Sequence, residues 1–162
     1  MGIKYINMID KSAILVSGGM MVREQSGKEK WFMIKQSEDS DWEWPTVVVK
    51  KGESSVRAIL RVIEEKGGMT ARVLEEAGRF GGVVTSGGET LPQRHLFYLI
   101  LLKAKSPEAI GFSESAWFEF QTASKKTSSK REKQVFKQAK EAYKKWKKER
   151  AIRRKKAAES LE

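Results

Sequence analysis

The sequence predicts a single α/β domain, an α+β sandwich in which a mixed β-sheet is packed between helices and closed by a long basic C-terminal helix. Three observations predict it. Apolar runs of strand length surround one stretch of helical period, and a second helical stretch ends the chain. The 162 residues are 40% apolar and 33% charged, enough to bury one core of ordinary size. The net charge of +11 sits at one end, because residues 125–162 hold 16 Lys/Arg against 5 Asp/Glu. The body is therefore neutral, and an electrostatic partner would concern the tail alone.

The elements follow in order. Residues 13–23 (AILVSGGMMVR) read as a strand interrupted at Gly18-Gly19, and residues 30–36 (KWFMIKQ) as its hairpin partner across a turn at Gly27-Lys28. A turn at Asp39-Ser40-Asp41 leads to Trp42-Glu43-Trp44-Pro45 and the apolar Val47-Val48-Val49, expected to be extended. From Ser54 the period changes. Val56, Ile59, Leu60 and Ile63 fall at helical spacing, with Ser54 or Ser55 as N-cap and Gly67-Gly68 as the stop. Strands are expected over 71–84 and 95–102, joined by a turn at Ser86-Gly87-Gly88, with Ser106-Pro107 breaking the second. Trp117 to Phe120 is a short apolar element. A long helix starts near Ser128 or Ser129 and carries Val135, Phe136, Ala139, Ala142, Tyr143 and Trp146 on one stripe. Residues 1–146 are thus read as one domain and 147–162 as a basic helical extension, whose final Leu161-Glu162 reads as a tag remnant.

Composition also excludes. There is no cysteine, which removes disulfides and thiolate–metal sites and suits a reducing cytoplasm. No apolar run approaches the roughly 20 residues of a membrane span, and polar residues interrupt the N-terminus before a signal peptide could form. His95 is the only histidine, so no histidine-cluster metal site can be assembled, and its position at the start of an apolar strand favours a structural role over a catalytic one. The pairs Gly18-Gly19, Gly81-Gly82 and Gly87-Gly88 lack phosphate-loop spacing and read as bulges and turns.

The stretch that carries chemistry is residues 42–69, WEWPTVVVKKGESSVRAILRVIEEKGGM. Seven residues separate Glu53 from Arg61, and Ile63, Glu65, Gly68 and Met69 follow in fixed register behind a Trp42-x-Trp44-Pro45 lead-in. This resembles the box of the Nudix (nucleoside-diphosphate-X, MutT-like) hydrolases: Gly, five residues, Glu, seven residues, Arg-Glu-apolar-x-Glu-Glu-x-Gly-apolar. Six of its nine positions fit, and Trp117-Phe118 before a terminal helix is similar to the family's close, so the resemblance covers most of residues 13–145.

The resemblance implies a Nudix-like fold and a pyrophosphohydrolase acting on nucleoside diphosphates linked to another moiety. It implies Mg²⁺ or Mn²⁺ as cofactor, polarising the diphosphate and activating water. The implied catalytic acids are Glu65 and Glu53, and the implied metal donors are Glu65, the Val47 backbone carbonyl and Glu114. Arg61, paired with Glu53, and Gly68 would be structural. Trp42 and Trp44 are candidates for stacking a base, against the alternative that they pack in the core.

Three departures change the chemistry: Val47 replaces the box Gly, Val62 an acid and Lys66 another. At 100° per residue from Arg61, Glu65, Val62 and Lys66 fall near about 40°, 100° and 140°, while Glu64 falls near about 300°. One carboxylate is left where hard cations want several oxygen donors. Lys66 would repel a divalent ion yet could meet a phosphate, or it is simply a solvated cation in the helix's last turn. Two function classes follow: a metal-dependent hydrolase, or a non-catalytic protein binding a nucleotide or other phosphorylated small molecule. For the tail, the readings are a solvated extension or an electrostatic contact with RNA, ribosome or another polyanion through Lys147, Lys148, Arg150, Arg153 and Arg154.

Overall fold

The computed structural model describes residues 14–105 and 111–161. Ala13, the N-terminal stretch before it, Ser106-Pro107 and Glu162 lie outside the described residues. The elements are β1 (Ile14–Gln25), β2 (Lys28–Lys35), β3 (Thr46–Val48), α1 (Ser55–Gly67), β4 (Met69–Ser86), β5 (Glu89–Lys105), β6 (Glu114–Phe118), α2 (Phe120–Lys126) and α3 (Lys130–Ser160). The strands form one six-stranded mixed sheet in the order β4-β5-β1-β2-β6, with β3 also on β1. The β1–β5 ladder is parallel and the others are antiparallel.

β1 is shared along one edge. Its Val16–Gly18 segment pairs with β3, and its Val22–Gln25 segment with β2 across a tight turn where Ser26 and Gly27 both take positive φ. Both faces of the central strands are covered, so neighbours in sequence serve opposite cores. Met21, Ile34, Ile100, Ile59 and Ile63 build the core beneath α1; Met20, Trp31, Met33, Trp44, Phe97, Leu99, Phe136 and Tyr143 build the core beneath α3. Each such side chain contributes roughly 1.5–3 kcal/mol by leaving water. Trp31 and Trp44 are wholly core, at 0% and 1% exposure.

Two expectations need correction, and one element was not anticipated. β1 runs without interruption through Gly18-Gly19, because the missing side chains make room for others. A Cβ on Gly18 would strike the Phe97 ring, and one on Gly19 would come within 2.8 Å of Ile100 Cδ1. Gly81-Gly82 is regular ladder opposite Arg94 and Gln93, and the bulges of β4 fall earlier, between Thr70 and Gly78. Helix α2 was not legible, since Phe120 and Ala123 are its only apolar members. It is held from outside by Phe120 stacked on Phe136 with centroids 4.6 Å apart, and it ends where the buried Thr127 hydroxyl donates to Ala123 O at 2.8 Å.

α3 begins at the N-cap Ser129, whose hydroxyl accepts from Glu132 N. It buries Val135, Phe136, Ala139 and Tyr143, with Ala142 and Trp146 partly buried against the same cluster. From Lys147 to its end it is exposed. No helix among the described residues is long and apolar enough to cross a membrane.

Candidate functional site

α1 and the loop before it form the first candidate region. The Ser54 hydroxyl accepts from Arg57 N at 3.1 Å, and Gly68 closes the helix in the left-handed conformation at φ 61°, its N–H donating to Glu64 O. Ahead of the helix, Gly52 turns the chain at φ 80° and presents Glu53 to Arg61. The pair is two-pronged: Arg61 Nε donates to Glu53 Oε2 at 2.9 Å and Nη2 to Oε1 at 3.2 Å. The bonded guanidinium holds the Glu53 carboxyl below its usual range, and the carboxylate raises Arg61 in turn.

Glu65 is 65% exposed and lies 3.9 Å from Arg61 Nη1, on the far side of the guanidinium from Glu53. Val62 is buried at 6%. Lys66 is exposed, but its backbone is covered: Gly111 N donates to Lys66 O at 3.0 Å, so close that Gly111 could not carry a Cβ. Glu64 does line the same open groove as Glu53, Arg61 and Glu65, but no three acids among the described residues converge on a metal position. Val47 sits in the β1–β3 ladder opposite Ser17; with Gly19 N bonded to Pro45 O and Val49 N to Leu15 O, the alternation makes that a hydrogen-bonded pair and engages the Val47 carbonyl. Glu114 pairs with Lys35 at 3.5 Å at the start of β6.

The second region lies under the N-terminus of α3. A cleft of about 220 Å³ is lined by Trp42, Trp44, Phe80 and Phe97 together with Glu43, His95 and Glu132. Trp42 meets Phe118 edge-on at 5.0 Å. His95 stacks on Phe80 at 4.8 Å and 10°, shares a hydrogen bond with Gln93 at 3.0 Å, and is pushed down in pKa by burial, which favours neutral imidazole. Two polar groups here lack their ordinary satisfaction. Trp44 Nε1 is buried without an acceptor among the described residues, and burial followed by the Glu43 charge raises the Glu132 carboxyl. Sequence reasoning missed Glu43, Phe80 and Glu132, which stand on separate elements with no common spacing; only the fold assembles them.

The basic residues of the tail are spread along the exposed part of α3. Lys147 pairs with Glu24 at 3.2 Å and lies 3.8 Å from Glu29, while Lys148, Arg150, Arg153 and Arg154 are exposed.

No family model matches the sequence. No curated protein sequence matches it either. Solved structures do. A Caenorhabditis elegans Ap4A hydrolase in a binary complex superposes with a TM-score of 0.61 over 78% of this chain and 94% of its own, at 19% identity. A UDP-X diphosphatase gives 0.63 over 88% and 72%, at 14% identity. The Nudix domain of Shewanella oneidensis NrtR, crystallised with ADP ribose, gives 0.59 over 87% and 97%, at 15% identity. The chain has the Nudix fold.

Within that fold the residues of the Nudix box divide by kind. Those that shape the loop and helix are in place: Glu53 on Arg61, Gly68 as the left-handed cap, Ile63 in the core. Those that would hold a metal are not. A divalent cation is implied by the resemblance, and this donor set does not fit one. Of the box-helix acids it keeps Glu65, beside a buried valine and an ammonium; Glu64 lines the groove without joining a cluster of three acids among the described residues, and Glu53 is already committed to Arg61.

Proposed function

We propose that this chain binds a nucleotide or related phosphorylated ligand on a Nudix scaffold and does not hydrolyse it. The observation that carries the reading is the donor set of α1: Val62 is buried and Lys66 cationic where the box has acids, and no three acids among the described residues converge on a metal position. Losing two of three oxygen donors costs orders of magnitude in rate, since the ion supplies both the polarisation and the activated water. The cleft under α3 supports binding. It is sized for one flat ring system, walled by Trp42, Phe80 and Phe97, and offers the Trp44 indole N–H as an unused donor. β3 borders this cleft, with Thr46 lining it and Val47 packed in the core beneath α1. The likeness to a Nudix domain crystallised with ADP ribose makes that compound the first ligand to try.

The test has two arms. Calorimetry with ADP ribose and a panel of nucleotides, in chelator, is expected to show binding that Trp42→Ala weakens at least about tenfold, as loss of an aromatic wall does. Incubation of the same panel with Mg²⁺ or Mn²⁺ is expected to release neither phosphate nor monophosphate. Turnover abolished by Glu65→Gln would overturn the reading in favour of the metal-dependent hydrolase.

A further inference from the structure

Where α3 leaves the sheet it runs beside a groove of about 650 Å³ at the ends of β1, β4 and β5. One wall is the helix, through Tyr143, Trp146, Arg150 and Arg153; the other is the sheet, through Arg23, Arg72 and Lys103. At 100° per residue the four helical side chains lie within about 80° of one another. The stripe that docks α3 on its core therefore changes from aromatic to arginine as the helix clears the sheet, and stays pointed at the strand ends.

The charges in this groove are unbalanced. Its one lining carboxylate, Glu24, already accepts from the Tyr143 hydroxyl at 2.9 Å and from Lys147 Nζ at 3.2 Å. The side chains of Arg72, Lys103 and Arg153 make no ion pair or hydrogen bond with the described residues. Arg150 Cζ sits 5.1 Å from the centroid of the Trp146 ring, which is itself stacked on Tyr143 at 5.9 Å and 15°. Cations on two walls around a stacked aromatic pair complement a chain of phosphates carrying flat, unpaired bases, because every base has a face to stack and every linkage a charge. A duplex hides those faces. A lipid surface calls for apolar insertion beside the cations, and the exposed Ile152 lies about 180° around the helix from Tyr143, away from the groove.

We infer that this groove binds single-stranded nucleic acid, with phosphates on Arg72, Lys103, Arg150 and Arg153 and a base against Trp146. The helix alone is half of the surface. This inference is independent of the ligand cleft beneath the N-terminus of α3 and survives its failure.

Fluorescence anisotropy with labelled single strands of about 12 nucleotides, one RNA and one DNA, tests it across a salt series. Binding is expected at low salt, with log affinity falling against log salt and the slope flattening by about 0.7 for each phosphate contact removed. Arg72→Glu and Lys103→Glu are exposed strand residues off the helix, and each is expected to weaken binding at least about tenfold with an unchanged circular dichroism spectrum. Lys155→Glu, exposed about 120° around the helix from Tyr143 and outside the groove lining, is expected to stay within about twofold of the parent. Tighter binding of the RNA assigns that polymer, and equal binding assigns a strand read without its sugar. Absence of binding at low salt overturns the inference. So does indifference to Arg72→Glu and Lys103→Glu, which would leave the helix as a plain polycation, and so does equal or tighter binding of a duplex or of phosphatidylserine vesicles.

Discussion

Glu53, in the loop ahead of α1, and Glu132, in the first turn of α3, are one residue type in opposite surroundings on the two sides of the sheet. Glu53 faces a guanidinium that grips both its oxygens, and its carboxyl is held below the usual range. Glu132 stands at a helix N-terminus, where the dipole favours an anion, yet burial and the neighbouring Glu43 raise it. Desolvation outweighs the dipole there because the dipole contributes only about 0.3–1 kcal/mol at an ordinary helix end. The difference teaches where charge is tolerated in this molecule. The α1 side keeps a fixed ion pair that braces the loop, whereas the α3 side sets Glu132 beside Glu43 in a cleft that favours the neutral form of Glu132.

The contrast breaks most completely if α3 is undocked. Phe136 is fully buried and meets the rings of Trp31, Trp44 and Phe120, so Phe136→Ala is expected to cost about 3–5 kcal/mol, read as a lower denaturant midpoint at constant slope. In that variant Glu132 should titrate like an ordinary glutamate by carbon NMR; an unchanged high value would mean that α3 does not set it. A smaller effect is expected on the other side. Because the folded pKa of Glu53 is depressed, its stabilisation is present above the ordinary glutamate value of 4.5 and is lost as pH falls through the folded value. Glu53→Gln should therefore lower the melting temperature at neutral pH, with the gap to the parent closing in acid. The smallest effect is of opposite sign. A raised carboxyl is most favourable while protonated, so stability falls as pH rises from the ordinary glutamate value through the folded value of Glu132. Glu132→Gln should remove that decline and melt slightly higher than the parent near neutrality; a lower melting temperature there would show that the charge is satisfied by a group not seen around it.

Much of this was legible in the sequence because it rests on local rules. Ser54, Gly68 and the Val56–Ile63 spacing fix α1, and the Glu53–Arg61 interval fixes the brace, so the box could be read at an identity with solved relatives of only 14–19%. The same helix geometry set Glu64 on the opposite face from Glu65, whereas both line one open groove. What was not legible depends on contacts made across the chain. Gly18-Gly19 looks like a strand breaker until Phe97 and Ile100 are known to fill the space above it. α2 has almost no apolar stripe of its own and is a helix because Phe136 and the core beneath it accept Phe120 and Ala123. The cleft draws Glu43, Phe80, His95 and Glu132 from four places, and the basic groove adds Arg72 and Lys103 to a tail that in sequence stands alone.

The parallel pairing of β1 with β5 has a further consequence, in time. Ile14 through Val22 must find partners roughly 80 residues away, whereas β4 and β5 meet through the turn at Gly87-Gly88. The hairpin is the natural first event, and the opening strand has no full-length neighbour until the second arm of that hairpin has been made. The apolar β1 thus waits through β2, β3, α1 and β4 for its full-length neighbour, and closure of the sheet is the slow, late step on which both cores wait.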